Sequence, residues 1–414
     1  MLHKVSLPVA DIDKYRLIEA RGIIDEVVRL GEELKGLRVC HINSTPFGGG
    51  VAELLVCLIP VLRSLGIEAD WQIIRGDRRF FTITKGLHNA LQGATFDDIN
   101  KESTRREYQS HNSSNARELD LNYDVFIVND PQPAALRHYL PDSKAKWIWR
   151  CHVDSSEPDD TVWDFLRPYI EEHDAAVFTT EAFIPKNLNI AKVAIMAPAI
   201  CPLSSKNMFI ERYVCRELVE NLGFDINRLL ITQVSRFDRW KDPFGTIAAY
   251  RLAREKIPGL QLALVGSFAP DDPESWDIHA ALSAEAMKDG DILIFSNLTG
   301  VGNMEVNAFQ RASDVIVQKS IKEGFGLVVA EALWKETPVI AGNAGGIPLQ
   351  MTGELSDYLV DSVEECAEKI VYLLENPAVS ERLGKEGKEI VRERFLMPRL
   401  ARDELNLIKS LVGK

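Results

Sequence analysis

No stretch of this chain reaches the roughly 20 consecutive apolar residues that a bilayer-spanning helix requires. The first 14 positions are mixed in polarity and lack the continuous apolar core of a secretory leader. A soluble, cytoplasmic protein is therefore expected, with no membrane partner. Six cysteines, Cys40, Cys57, Cys151, Cys201, Cys215 and Cys366, show neither CxxC spacing nor the density of a disulfide framework. They read as reduced, mostly buried thiols. Excess positive charge is missing as well: 48 lysines and arginines stand against 61 aspartates and glutamates, for a formal net charge of -13. That balance argues against a broad nucleic-acid footprint while leaving room for a local basic pocket. The GxGxxG fingerprint and the Walker lysine-serine pair are absent, which weakens dinucleotide and P-loop readings. No three- or four-ligand metal pattern stands out, so no metal site is expected.

What is present suits two α/β domains. The 414 residues fit two domains of roughly 200 residues, and 46% hydrophobic content is ample for two cores. Strand-like runs alternate with helical patterns. The stretch 5–10 (VSLPVA) reads as a short strand, followed by a helix with an apolar stripe from Ile18 to Leu34, and 37–43 (LRVCHIN) reads as the first confident strand. That strand runs into Gly48, Gly49 and Gly50, small residues at a helix start that allow close approach of a phosphate. Segment 95–122 is polar, with two helix-like stretches, and reads as a surface connection or a mobile substrate-side element. Two further strands, YDVFIVN and KWIWRC, end at Asp130 and Gln132 and at His152 and Asp154. Polar residues just beyond successive parallel strands converge on one crevice, so these four are substrate-contact candidates.

Proline and serine punctuation at 200–207 marks a boundary, giving expected domains 1–204 and 205–395, with 396–414 a helix expected to pack back on the first. In the second domain the strand LLITQVS precedes Arg236 and Lys241, two cations suited to a diphosphate and to charge developing on a phosphate leaving group. The stretch 271–277 is an acidic, proline-rich loop, and Asn297 closes another strand. The run QKSIKEGFGLVVAEALW is strand, glycine turn and helix, with Glu323 and Glu331 flanking Gly324, Phe325 and Gly326. Carboxylates do not help to hold phosphate, so they read as acceptors for neutral hydroxyls of a ribose or hexose. Together the two passages suggest a nucleotide sugar.

These residues carry a resemblance. The segments EGFGLVVAEALW, SRFDRWKDP, CHVD and GGI are similar to those of retaining glycosyltransferases of family 4, and HINSTPFGGGVAELL with WIWRCHVDSSEP resembles the trehalose glycosyl-transferring synthases within it. The resemblance implies a GT-B architecture, two Rossmann-like domains facing a central cleft, and retaining transfer of glucose from a nucleoside diphosphate glucose to free glucose. It implies that Arg236 and Lys241 contact the diphosphate, Glu331 the ribose, and Glu323 the transferred glucose, aided by amides at Gly324, Phe325, Gly326 and Leu327. Asn297 joins the donor site, Gly48, Gly49 and Gly50 lie near the donor phosphate or acceptor, and His152 stands at the reacting sugar with Asp130, Gln132 and Asp154 as acceptor contacts. No tightly bound cofactor is implied; Mg²⁺ stimulation and a homodimer stay open. So do a trehalose phosphorylase, a different acceptor hexose, and a nucleotide-sugar-binding protein without transfer activity. The segment 351–360 departs from the family pattern and puts its local loop in doubt.

Overall fold

The computed structural model describes residues 1–18, 22–268 and 274–413. The chain divides into two compact units: Met1–Ala199 with the C-terminal stretch from Met397, and Ile200–Phe268 with Glu274–Leu396.

Unit 1 holds a seven-stranded sheet of β1 (His3–Lys4), β2 (Arg38–Asn43), β3 (Glu68–Ile73), β4 (Val125–Asn129), β5 (Lys146–Arg150), β6 (Ala175–Phe178) and β7 (Val193–Ile195), in the order β1-β3-β2-β4-β5-β6-β7. All pairs are parallel except β1 on β3. Helices cover both faces of such a sheet, which is why β4 (VFIVN) is buried at every position. Trp147 and Trp149 of β5, Trp71 of β3 and Phe126 of β4 fill the core. Strand order reverses between β2 and β4, so the loops after those strands diverge and leave an opening at their carboxyl ends.

Two local expectations give way here. The stretch 5–10 is not a strand: after Val5 donates to the Trp71 carbonyl the chain leaves the sheet, and Pro8 has no N–H to continue a ladder. The segment 95–122 does carry a helix, Glu102–Glu118, in keeping with its helix-like pattern, but it is no mere surface connection, since Tyr108, Asn112 and Asn115 are buried. Its buried side chains find partners in other elements. Asn115 accepts from the Arg75 amide at 2.7 Å and donates to the Arg75 carbonyl at 2.8 Å, and the Tyr108 hydroxyl donates to the Pro131 carbonyl at 2.7 Å. Residues 19–21 of the first expected helix and 271–273 of the acidic loop lie outside the described residues; Ser275–Ala286 is helical.

Unit 2 holds six parallel strands, β8 (Leu230–Arg236), β9 (Gln261–Ser267), β10 (Ile292–Ser296), β11 (Val315–Gln318), β12 (Val339–Gly342) and β13 (Leu359–Val360), in the order β10-β9-β8-β11-β12-β13. This is the dinucleotide-fold order, with its reversal between β8 and β11. The segment 351–360 forms the short 3-10 helix Gly353–Tyr358 and then edge strand β13.

The C-terminal helix Met397–Val412 belongs to unit 1 and packs on the helices Ile23–Glu33 and Gly50–Ser64. Arg399 fastens its start by donating to the carbonyls of Ala197 and Pro198, both at 2.7 Å. One turn further on, Glu404 is buried against His41 and Arg150 at 3.1 and 3.4 Å.

Candidate active site

In unit 2, Arg236 ends β8 and Lys241 lies in the loop that follows, while Glu323 lies in the loop after β11. The strand reversal therefore sets these loops side by side, and the backbone zips them: the Ile321 amide donates to the Trp240 carbonyl at 2.9 Å. The side chains meet too. Lys241 Nζ lies 2.7 Å from Glu323 Oε2, which also accepts from Ser320 Oγ at 3.2 Å. Ser320 is in turn held by Gln318 Nε2 at 3.1 Å, so a short relay runs from the end of β11 to the carboxylate. Arg236 stands 3.8 Å from Asp238.

Local sequence explains why Lys241 is so placed. Asp242, in the left-handed region at φ 46°, caps the helix Pro243–Lys256 by accepting from the Gly245 amide at 3.0 Å, and Pro243 opens that helix with its φ already set. A β-carbon on Gly245 would lie 2.1 Å from the Asp242 carboxylate, so glycine is required there. Lys319 clamps the same carboxylate from the β11 side at 2.5 Å. The end of β12 closes in as well: a β-carbon on Gly342 would lie 2.0 Å from the Ser320 carbonyl oxygen.

Gly326, at φ 82°, caps the helix Leu327–Trp334, and Gln350 Nε2 holds the carbonyls of Phe325 and Gly326 at 2.5 and 3.3 Å. The Phe325 ring packs on Phe395, 5.2 Å between centroids, so this residue offers its backbone. Glu331 is buried on that helix, with Lys206 Nζ 3.1 Å from Oε1 and Gln310 Nε2 3.2 Å from Oε2. Asn297 follows β10, two strands from β8, and its amide is bound at both ends to the Phe268 backbone, at 2.9 and 3.3 Å. It braces neighbouring turns and is not joined to the Lys241–Glu323 pair.

In unit 1, Gly48 (φ 84°), Gly49 and Gly50 lead from β2 into the helix Gly50–Ser64, at the strand reversal. Across it, after β4, Asp130 adopts φ 65° and accepts from the His152 amide at 2.8 Å, tying the β4 and β5 loops together. His152 Nε2 lies 2.9 Å from Asn129 Oδ1, and the Asn129 Nδ2 group donates to the Ile42 carbonyl at 3.0 Å. That orientation makes Nε2 the protonated nitrogen and leaves Nδ1 as an acceptor. Burial, with Arg150 and His41 nearby, pushes His152 well below the ordinary histidine value of 6.5. Asp154 accepts from the amide and hydroxyl of its neighbour Ser156 at 3.1 and 2.6 Å, closing its own turn. Gln132 offers its carbonyl to Asn112 at 3.1 Å.

A neutral His152 has a pH consequence. A group needed in its neutral form loses function only as pH falls through its lowered pKa, so the acidic limb of kcat/KM for the wild type lies well below 6.5. A limb near 6.5 that disappears in His152→Ala would overturn this.

Among the described residues one carboxylate-histidine group has ligand-type atoms within 4.8 Å of one another, Asp77, Glu107 and His111. It lies in unit 1, where Asp77 already caps the Phe80 amide at 2.8 Å and His111 sits 3.1 Å from Glu107 one helical turn away. An ordinary helix cap and a side-chain hydrogen bond account for it.

A family model described as the trehalose synthase N-terminal domain matches residues 41–185, and one for glycosyl transferases group 1 matches 216–390. A trehalose synthase of Rubrobacter xylanophilus is 45% identical over 100% of both chains. The chain belongs to the trehalose synthase family. A second trehalose synthase, from Pyrococcus horikoshii, is 43% identical over 97% of both chains. Among solved structures, a UDP-forming α,α-trehalose-phosphate synthase of Burkholderia xenovorans in complex with glucose-6-phosphate aligns with TM-score 0.71 at 15% identity, covering 91% of this chain and 100% of that one. This likeness shows the fold, GT-B with two Rossmann-like domains. The protein is thus a glycosyltransferase of the trehalose-synthase type.

Lys206, Gln310, Ser320 and Lys335 were not legible as site residues. Lys206 and Gln310 reach Glu331 only through tertiary contact, while the ties of Ser320 to Glu323 and of Lys335 to Asn207 and Gln310 are side-chain contacts that no motif spacing states.

Proposed function

We propose that this enzyme transfers glucose, with retention at the anomeric carbon, from a nucleoside diphosphate glucose to free glucose, giving α,α-trehalose and the nucleoside diphosphate. The observation that carries the reading is the Lys241–Glu323 pair, 2.7 Å apart at the strand reversal of unit 2. It sets a cation suited to a leaving phosphate beside an acceptor suited to sugar hydroxyls. In this reading Arg236 and Lys241 neutralise the diphosphate, Glu323 and the amides of Gly324, Phe325, Gly326 and Leu327 hold the transferred glucose, and Glu331 accepts from the ribose. Unit 1 supplies the acceptor contacts: His152 through its Nδ1 lone pair, Asp130 chiefly by fixing the His152 backbone, with Gln132 and Asp154 beside them.

The donor's anomeric C–O bond to phosphate breaks as a hydroxyl oxygen of the acceptor glucose bonds to that carbon on the same face, through a short-lived oxocarbenium-like ion pair. The acceptor's proton passes to a leaving phosphate oxygen. Glu323 is assigned no nucleophilic role in this reading; Lys241 and Ser320 hold its Oε2 and so fix the carboxylate as a hydrogen-bond acceptor. The two cations supply the charge stabilisation that a protein-bound metal would give, so Mg²⁺ stimulation, where present, acts on the donor's own diphosphate.

The test crosses UDP-, ADP- and GDP-glucose with several free hexoses, with and without chelator, beside trehalose plus inorganic phosphate. Trehalose and a nucleoside diphosphate are expected only from a nucleotide-glucose with glucose. Glucose phosphate formed from trehalose and phosphate would establish a phosphorylase instead, a product with another hexose alone would change the acceptor, and donor binding without turnover would make this a binding protein.

A further inference from the structure

Glu331 does not stand alone in its burial. Lys335, at the C-cap of the same helix, is buried and has every hydrogen-bonding position of its ammonium filled: it donates to Asn207 Oδ1 at 2.7 Å, Gln310 Oε1 at 2.8 Å and the Glu331 carbonyl at 3.1 Å. The second of these contacts decides the orientation of the Gln310 amide. With Oε1 turned to Lys335, its Nε2 faces the Glu331 carboxylate, where it donates at 3.2 Å. Reversed, the amide would set oxygen against oxygen and turn the carboxylate away. The first contact holds Asn207 and so its neighbour Lys206, whose Nζ lies 3.1 Å from the other oxygen of Glu331. Asn307 pins the same turn, 204–208, by donating to the carbonyls of Ser205 and Met208 at 3.0 and 2.9 Å. The turn lies just after the chain enters unit 2 at Ile200. Charge is expensive in this position. Burial pushes the Lys335 ammonium down to about 7, with Lys206 and Arg311 adding to the effect and Glu331 and Cys215 opposing it.

We propose that Lys335, Gln310 and Lys206 are positioning residues that orient Glu331 toward the ribose of the nucleotide donor, making the turn 204–208 part of the donor site. The proposal rests on the reading of Glu331 as the ribose acceptor. Lys335 never touches the carboxylate; it acts through the Gln310 amide and the Asn207 side chain.

The experiment compares UDP-glucose, or ADP-glucose where that turns over faster, with its 2′,3′-dideoxyribose analogue in wild type, Glu331→Gln, Lys335→Met and Lys206→Met. Wild type should favour the ribose donor. In Lys335→Met and Lys206→Met the donor KM should rise about tenfold, glucose KM should change less than about twofold, and the preference for ribose over dideoxyribose should collapse. Lys206→Arg should restore it. Loss of packing alone would not single out the ribose. If Glu331→Gln abolishes the preference while folded Lys335→Met and Lys206→Met retain it, the positioning role is wrong and the ribose reading stands. Should Glu331→Gln itself retain the preference, the ribose reading falls first, and this inference with it. Melting curves identify a variant that does not fold, and Asn207→Ala, which leaves both lysines in place, then takes the place of Lys335→Met.

Discussion

Replacing Lys241 with alanine lowers kcat by about a thousandfold at saturating donor, the effect of removing one fixed charge from where charge develops in the transition state. The ammonium stands at the reversal of strand order in unit 2, held there by the loop that Asp242 and Pro243 terminate. It pairs with Glu323 at 2.7 Å. Its removal therefore has two consequences: the leaving diphosphate loses a cation, and a carboxylate that is only 7% exposed keeps the Ser320 hydroxyl but loses its positive partner. The second predicts non-additivity. Glu323→Gln in the Lys241→Ala background should lower kcat by much less than Glu323→Gln alone, because the two side chains share one interaction. Arg236→Ala should act in the same direction by about a hundredfold, being the second cation proposed for the same phosphates. Steady-state kinetics with calorimetric donor affinities separates the terms: kcat falls far more than glucose affinity. Undiminished turnover of Lys241→Ala at saturating donor would falsify the assignment.

How much of this was readable beforehand follows the range of each interaction. Two α/β units, the strands ending at Asn129, Arg150, Arg236 and Gln318, and the candidates at the strand ends are local properties of apolar runs and the turns that stop them. The parallel sheets made those runs nearly continuous, as in VFIVN and in LITQVSR. Strand order was not local. That β11 pairs with β8 while β9 and β10 lie on its other side is what brings Glu323 to Lys241, and nothing in either loop's spacing states it. The helix Glu102–Glu118 was legible as helix but not as a buried element, because its asparagines and Tyr108 find partners in other elements that composition does not state. Asp154 looked equivalent to Asp130 in sequence. In the fold one closes its own turn and the other binds the amide of His152.

The same non-local logic makes Glu404 the strongest point of attachment of the C-terminal helix, and Glu404→Ala should destabilise unit 1 by about 3–5 kcal/mol. The carboxylate is 2% exposed and meets two partners from different strands: His41 of β2 at 3.1 Å and Arg150 of β5 at 3.4 Å. Arg150 is itself buried; burial pushes its guanidinium pKa down, and Glu404 is the largest influence holding it up. Alanine thus leaves a buried cation without its nearest counter-charge, a far larger penalty than the net value of the pair. Glu404→Gln keeps an acceptor and most of the shape, so it should cost less, and Arg150→Met with Glu404→Leu should recover much of the loss because neither charge is then stranded. Urea unfolding followed by tryptophan emission reads unit 1 chiefly through buried Trp71, Trp147 and Trp149. A two-unit chain need not unfold in one step, so the transition assigned to unit 1 is the one to compare. A loss below about 1 kcal/mol in Glu404→Ala would mean that the helix is held by its apolar face and by the Arg399 contacts to Ala197 and Pro198, with the buried charges contributing little.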